Sequence, residues 1–531
     1  MKRIPVVDLF AGPGGLGEGF TAFQTNSGFS PFEVVLSIEK EIFAHQTLTL
    51  RSFFRQFPKG QAPRDYYDYL RTANEPEPGR RKQLFSKWPA EAERAVETAL
   101  HLELGEENIE TVRARILNAL KGSQDFVLLG GPPCQAYSII GRSRNNGNPD
   151  YVADKDKRQR LYLEYLQILA DHQPAVFIME NVKGLLSATL NNQRIFELIL
   201  EDLQSPCDAI IREKRPLGSQ RRKARYNLFS LSCDGSSDKR RLSRFIVKME
   251  KHGIPQARHR LIILGVRSDL GKLDVPPLPE LDQIGIERII KDLPQVRSGL
   301  SKGRDDPAQW QESIRAASSL PFLDDLSDEV DQAVRDKINS TIMRISQRNL
   351  PRGAEFIPLP EFIPLPTCAL YRPDWFFDEK IEGVCNHTTK RHIQEDLHRY
   401  LFAACFSLIN KKSPYLSDFP EILLPKHRNT ESSLQSGHFA DRFHVQVWGR
   451  PSTTVTSHIS KDGHYFIHPD PNQCRSMTVR EVARLQTFPD NYFFCGPRTS
   501  QYVQVGNAVP PLLAYQISEL VFNLMRNSGI V

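Results

Sequence analysis

Four short apolar runs in this chain each stop at a glycine turn or a carboxylate, and that punctuation restricts the fold more than any other feature. The run Ile4–Phe10 ends at Ala11-Gly12-Pro13-Gly14-Gly15, Phe32–Ile38 at Glu39, Phe126–Leu129 at Gly130-Gly131-Pro132-Pro133-Cys134, and Ala175–Met179 at Glu180-Asn181. A fifth run, Leu261–Val266, instead follows its polar cluster, Gln256-Ala257-Arg258-His259-Arg260. Helical patterns lie between several of these runs. Strands alternating with helices predict an α/β fold with a mostly parallel sheet. Ligands of such sheets sit beyond the carboxyl ends of the strands, so the first four clusters should converge in space. The fifth precedes its strand, and its convergence does not follow from the pattern.

Two stretches interrupt this alternation. Residues about 51–124 read as a helical insert, in which Pro89 opens one helix that Gly105 ends. Ile109, Val112, Ile116, Leu117 and Leu120 share one face of the next helix. Residues about 187–250 read as a second insert. Within it, Arg212–Arg244 holds eleven Lys/Arg against three acids, a balance of +8 in a chain whose net charge is +6. Such a block suits contact with a polyanion or simply a solvated insertion, and the sequence alone leaves both open. After about residue 268 the periodicity is lost and proline accumulates, as in IPLPEFIPLP at 357–366. The expected organisation is a catalytic and cofactor domain over 1–267, a smaller irregular domain over 268–475, and a segment over 476–531 that completes the first domain. Order returns at Thr478–Phe488 and in a final helix, Leu512–Met525.

Composition excludes some classes. Apolar residues make up 40% and charged residues 25%, an ordinary globular balance, and no run of about 18 apolar residues forms a membrane span. The start, MKRIPVVDLFAGPGG, does not read as a signal peptide, so a cytoplasmic protein is expected. The eight cysteines form no C-x-x-C pair, which argues for reduced thiols. Cys385, His387, His392 and His398 fit no standard zinc spacing, and no metal is expected.

The clusters themselves carry chemistry. Glycines let a backbone approach a ligand closely, and Glu39 at a strand end can hold ribose hydroxyls; a plain tight turn is the alternative. Pro132 and Pro133 stiffen the chain just before Cys134; a buried packing cysteine is the usual alternative to a nucleophile, and a packing role is less natural on this turn. Glu180 can act as an acid or hydrogen-bond a base edge. Arg258 and Arg260 face the same way in an extended segment and give paired cations.

Taken together these segments resemble the DNA cytosine-5 methyltransferase family of the bacterial restriction–modification type. DLFAGPGG (8–15) resembles its first motif, SIEK (37–40) its second, GGPPCQAYS (130–138) its catalytic motif, and the segment around Arg160-Leu161-Tyr162 its fifth. ENV (180–182) is similar to the sixth, QARHR (256–260) to the eighth, REVARLQTFPD (480–490) to the ninth and QVGNAVP (504–510) to the tenth. They occur in the family's order and cover both ends of the chain, a little under half of its residues.

The resemblance implies a Rossmann-like methyltransferase domain that uses S-adenosyl-L-methionine and releases S-adenosyl-L-homocysteine, with a smaller target-recognition domain. It implies that Cys134 adds to carbon 6 of a cytosine flipped out of double-stranded DNA, that Glu180 binds or protonates ring nitrogen 3, and that Arg258 and Arg260 favour the thiolate and hold the nucleotide. Phe10, Gly12, Gly14, Glu39, Pro133, Leu161 and Asn507 would contact the cofactor. Phe10 is alternatively a core residue, and Asn507 a turn residue after Gly506. The family's third motif, an acid that binds the adenine amino group, falls to Asp65 or Asp125. Gln135, Ser138, Arg142 and Arg144 would meet DNA from a loop that closes over it. The final helix should pack beside the first glycine loop. A monomer, and a cognate restriction endonuclease as partner, are implied as well. Members acting on tRNA carry a Cys-Phe-Thr element that this chain lacks, and no motif of the amino-directed enzymes is suitably placed.

Overall fold

The computed structural model describes residues 3–77, 79–133, 157–190, 193–218, 223–232, 242–271, 273–324, 331–359, 370–426 and 440–530. The chain divides into two compact units. The first comprises Met1–Ala62, Phe85–Asp282 and Ala508–Val531; the second comprises Pro63–Leu84 and Gln283–Asn507.

The first unit is built on an eight-stranded sheet. Its strands are β1 (Ile4–Leu9), β2 (Phe32–Glu39), β3 (Ala99–His101), β4 (Val127–Gly130), β5 (Val176–Val182), β6 (Tyr226–Ser230), β7 (Ile246–Lys248) and β8 (His259–Arg267). The order is β3-β2-β1-β4-β5-β8-β6, with β7 also paired to β8. The first five strands run parallel. β8 is antiparallel to β5, with Arg260 opposite Val182 and Ile262 opposite Glu180. Val6, Val7, Leu9, Leu128, Leu129, Phe177 and Ile178 are buried, as apolar runs covered on both faces must be. Helices cover the sheet; α1 (Gly15–Ala22) follows β1 directly.

The final helix lies over Pro511–Asn527 and packs against α1, as expected. The approach is so close that a Cβ at Gly19 would fall 2.4 Å from the Ala514 Cβ, and one at Gly15 2.3 Å from the Val509 carbonyl. Glycine there serves helix packing as much as the turn.

The two stretches read as inserts are largely part of the sheet unit. The helix opened by Pro89 ends at Thr98, not at Gly105, and passes straight into β3. On the next helix, Ile109–Leu120, Val112, Ile116 and Leu120 are buried, but Leu117 is 57% exposed. The 187–250 stretch supplies β6 and β7 to the sheet. Four cations of its basic block are engaged within the unit: Arg215 with Glu164 and Glu106, Arg212 with Asp202, and Lys223 and Arg225 with Asp208.

The second unit is less irregular than its composition suggests. Helices Pro307–Arg315, Gln332–Ser346 and Gln394–Asn410 pack around Trp310, Ile314, Ile338, Tyr400 and Leu401. Residues 476–507 belong with it, and only the last segment returns to the sheet unit. Its organiser is the ninth-motif helix, Val479–Leu485. Thr478 and Glu481 form a capping box, Arg480 donates to the carbonyls of Cys385, Pro489 and Tyr492, and Arg484 binds Asp490 and Asp292. His387 and His398 are committed to the carbonyls of Pro294 and Ser313, and His392 to Ser476 and Tyr400.

Candidate active site

The sheet brings the expected clusters to one edge. After β1 the chain turns through Phe10 (φ 53°), Gly12 (φ 57°) and Gly14 (φ 100°). A left-handed conformation costs a phenylalanine on the order of 1–3 kcal/mol, so the surroundings must hold it there. Phe10 is half-buried against the main core. The loop is tied to β2 by Glu39, whose Oε2 accepts the Gly12 N–H at 2.8 Å while Oε1 accepts the Glu41 N–H at 2.7 Å. A Cβ at Gly12 would meet nothing within 4 Å, so this part of the loop faces open space.

Beneath the loop lies a buried charge cluster. Glu18 on α1 receives Arg51 and Arg55, with Arg51 Nε at 2.9 Å and Arg55 Nη2 at 2.7 Å. Burial would raise the Glu18 carboxyl, but the two guanidiniums outweigh it and hold it at about 2. Asp8, on β1 beside Gly17, goes the other way: burial lifts it to about 7 against the weaker pull of Arg55.

The antiparallel course of β8 settles the fifth cluster. Residues that precede an antiparallel strand lie at the carboxyl edge of its parallel neighbour, so Arg260 reaches Glu180 at the end of β5 and Arg258 lies within its electrostatic influence. Arg260 Nε pairs with Glu180 Oε1 at 3.0 Å. Glu180 Oε2 lies 3.0 Å from where a Gly131 Cβ would be, which sets this carboxylate over the turn leading to Cys134. Arg258 is buried, donates to the Ala508 carbonyl at 3.0 Å, and has its basicity depressed by burial and then by Arg260.

Asn181, which sequence reasoning did not single out, locks the same turn. Its Nδ2 donates to the Pro132 carbonyl at 3.1 Å, while its Oδ1 accepts the Val182 N–H at 2.8 Å. Pro133 is half-buried at the end of this turn, and Leu161 is half-buried on helix Lys157–His172. Cys134, Gln135, Ser138, Arg142 and Arg144 lie outside the described residues.

The two candidates for the third motif lie in different units. Asp65 sits on helix Arg64–Arg71, which belongs to the second unit, where Tyr66 and Tyr67 bond the Asn491 carbonyl and Asp378. Asp125 precedes β4 and pairs with Arg267 at the amino end of the parallel strands, away from the ligand edge. The acid that does follow the third strand is Glu103, two residues past β3. Leu102 N–H bonds the Glu39 carbonyl at 3.2 Å and Lys40 reaches Glu103 at 2.8 Å, so Glu103 stands beside the end of β2. The period-2 alternation Leu100-His101-Leu102-Glu103-Leu104 was the available signal. Asn507 is exposed at the end of helix Arg498–Asn507 in the second unit, one residue before the Ala508 that Arg258 contacts.

Comparison with known proteins agrees with this geometry. A family model described as C-5 cytosine-specific DNA methylase matches residues 86–206 and 417–523. The type II methyltransferase M.Bpa9945I of Bacillus paralicheniformis is 29% identical, over 98% of this chain and 99% of its own length. The type II methyltransferase M.DdeI of Desulfomicrobium norvegicum is 25% identical over 99% and 90%. The DNA (cytosine-5-)-methyltransferase M.ApeKI of Aeropyrum pernix is 24% identical over 76% and 83%. Among solved structures, the Entamoeba histolytica methyltransferase EhMeth aligns over 98% of this chain and 99% of its own with a TM-score of 0.41 at 11% identity; the fold assignment rests on the sheet order, not on that likeness. With its motifs in the family's order, the chain carries a C-5 cytosine-specific DNA methylase domain, matched in two blocks.

Proposed function

We propose that this sheet edge methylates carbon 5 of a cytosine flipped out of duplex DNA, with Cys134 as the nucleophile. The observation that carries the reading is the Glu180–Arg260 pair lying over the Pro132-Pro133 turn that leads to Cys134. Carbon 5 is a poor nucleophile until something adds to carbon 6. The Cys134 thiolate makes that bond, and Arg258 and Arg260 favour its ionised form. Glu180, oriented by Arg260, shares a proton with ring nitrogen 3, and that proton offsets the negative charge that develops there as the thiolate adds. Once carbon 5 carries the methyl, a base takes its proton, the C–H electron pair forms the carbon 5–carbon 6 double bond, and the Cys134–carbon 6 bond breaks to regenerate the thiolate.

The residues present fit S-adenosylmethionine, which when bound supplies the methyl as a sulfonium electrophile. The backbone at Gly12, which faces open space, and at the neighbouring Gly14 would approach it; Glu39 and Glu103 would take its ribose and adenine ends, and Phe10, Pro133 and Leu161 would line its place. The names of the relatives support a modification enzyme of a type II restriction–modification system, with a cognate endonuclease as partner. Bisulfite sequencing of DNA from a host without cytosine methylation tests the reading. Methylation at one short motif, lost with Cys134→Ala, is expected; folded protein that binds S-adenosylmethionine but leaves DNA unmodified contradicts it.

A further inference from the structure

The second unit holds a polar cleft of about 330 Å³ that the chemistry above does not use. Its lining includes Lys390, Arg391, Lys461 and Arg498 against two carboxylates, Asp396 and Asp462. Both carboxylates already have partners: Asp396 accepts from Arg399 at 2.8 Å and Asp462 from the His464 N–H at 3.0 Å. His392 and His464 also line it and are kept neutral, since burial lowers both. Behind Arg391, one carboxylate serves three guanidiniums: Asp305 lies 2.7 Å from Arg297, 3.5 Å from Arg352 and 3.6 Å from Arg391. The excess positive charge is felt locally. Burial, and then Arg391, Arg498 and Arg297, depress Arg352 in spite of Asp305.

The cleft is built, not merely charged. The buried Lys390 amine, pushed down to about 7 by burial and then by Arg498, sits 4.5 Å over the Tyr502 ring and donates to the carbonyls of Lys461, at 3.1 Å, and Ile459, so the fixed cations of the cleft are Arg391, Lys461 and Arg498. Arg498 donates to the Thr389 carbonyl and so is held in place. Two helices begin at its lining, Gln394–Asn410 after Ile393 and Arg498–Asn507, and a helix start carries a positive dipole end. Concentrated cations, neutral histidines, hydroxyls of Ser460 and Thr499, and two helix starts are what a phosphate group needs.

We propose that this cleft holds a phosphodiester of the DNA backbone. The proposal rests on the reading of the chain as a DNA methyltransferase, which supplies the polyanion. It gives the second unit a sequence-independent anchor that fixes register, separate from whatever residues read base edges.

Duplex affinity measured against salt tests it. Log K falls linearly with log salt, with a slope of about 0.9 per phosphate neutralised, and each lost contact lowers the slope by about 1. The double variant Arg391→Gln/Lys461→Gln removes two surface cations and should lower the slope by about 1–2 with an unchanged thermal midpoint. Arg391→Lys/Lys461→Arg should restore it. A slope equal to wild type in the Gln pair overturns the proposal. So does an unchanged slope with inorganic phosphate stabilising the wild type but not the Gln pair, which would assign the cleft to a free phosphate. Wild-type protein that binds no duplex at any salt refutes the methyltransferase reading itself, a result separable from the other two.

Discussion

Two carboxylate–guanidinium pairs in this molecule share their chemistry and differ in their surroundings. Glu180 and Arg260, on the sheet unit, pair at 3.0 Å and stay 13% and 14% exposed, with one carboxylate oxygen turned toward the Gly131 turn. Glu481 and Arg475, in the second unit, pair at 2.6 Å with 1% exposure each. The Glu481 carboxylate also accepts the Thr478 N–H and lies 3.5 Å from His468. Burial alone would raise Glu481, yet Arg475 and then His468 hold it far below the usual carboxylate range. A pair with spare lone pairs at an open edge can meet a substrate; a pair whose lone pairs are all used within the protein can only hold the fold together.

That contrast can be broken by substitution. Glu481→Gln should cost about 3–5 kcal/mol in denaturant unfolding, because it leaves the Arg475 guanidinium buried without its counter-charge. The same experiment on Glu180→Gln should move stability by about 1 kcal/mol or less while lowering kcat by about 10²–10³-fold, the usual cost of one lost group that stabilises developing charge. Equal losses of stability in both variants would erase the distinction.

Under the glycine loop the contrast takes another form, because Asp8 and Glu18 shift in opposite directions. Asp8 holds its proton to about pH 7 when folded but releases it near 3.8 when unfolded. Its contribution is present below pH 3.8 and is lost as pH rises from about 4 to 7, a fall of roughly 4 kcal/mol. Glu18, held at about 2, contributes above pH 4.5 and loses that contribution as pH falls through 2. Asp8→Asn should therefore flatten the stability profile between pH 4 and 7, read as thermal midpoints across that window. An unchanged slope would mean Asp8 ionises freely where it stands.

A smaller effect separates Glu103 from Asp65 as the third-motif acid. Glu103→Gln should weaken S-adenosylmethionine binding by roughly tenfold, about 1.4 kcal/mol, by calorimetry, whereas Asp65→Asn should leave it unchanged. The reverse result would return the role to Asp65.

Much of the sheet unit was legible because its strands are buried on both faces and end in polar clusters, a pattern the residues state directly. β3 was not, since it is three residues long and follows a helix without a break, so the short alternation that leads to Glu103 was passed over. Leu117 shows the complementary failure: an apolar residue at helical spacing that ends up in solvent. The convergence of Arg258 and Arg260 depended on β8 running antiparallel, a fact of topology and not of local pattern. The second unit hid its helices behind proline-rich connections, and its ordering comes from long-range bonds such as Arg484 to Asp292, 192 residues apart, that no window of sequence contains.

The central claim is that Cys134 forms the covalent bond to the target base. Duplex DNA carrying 5-fluorocytosine at the methylated position tests it most directly, because fluorine on carbon 5 cannot leave as a proton does and the adduct is trapped. With S-adenosylmethionine present, a denaturation-resistant complex is expected, cross-linked through the peptide that contains Cys134 and absent in Cys134→Ser. A bond to any other residue, or no complex from protein that methylates the unsubstituted duplex, would contradict the account.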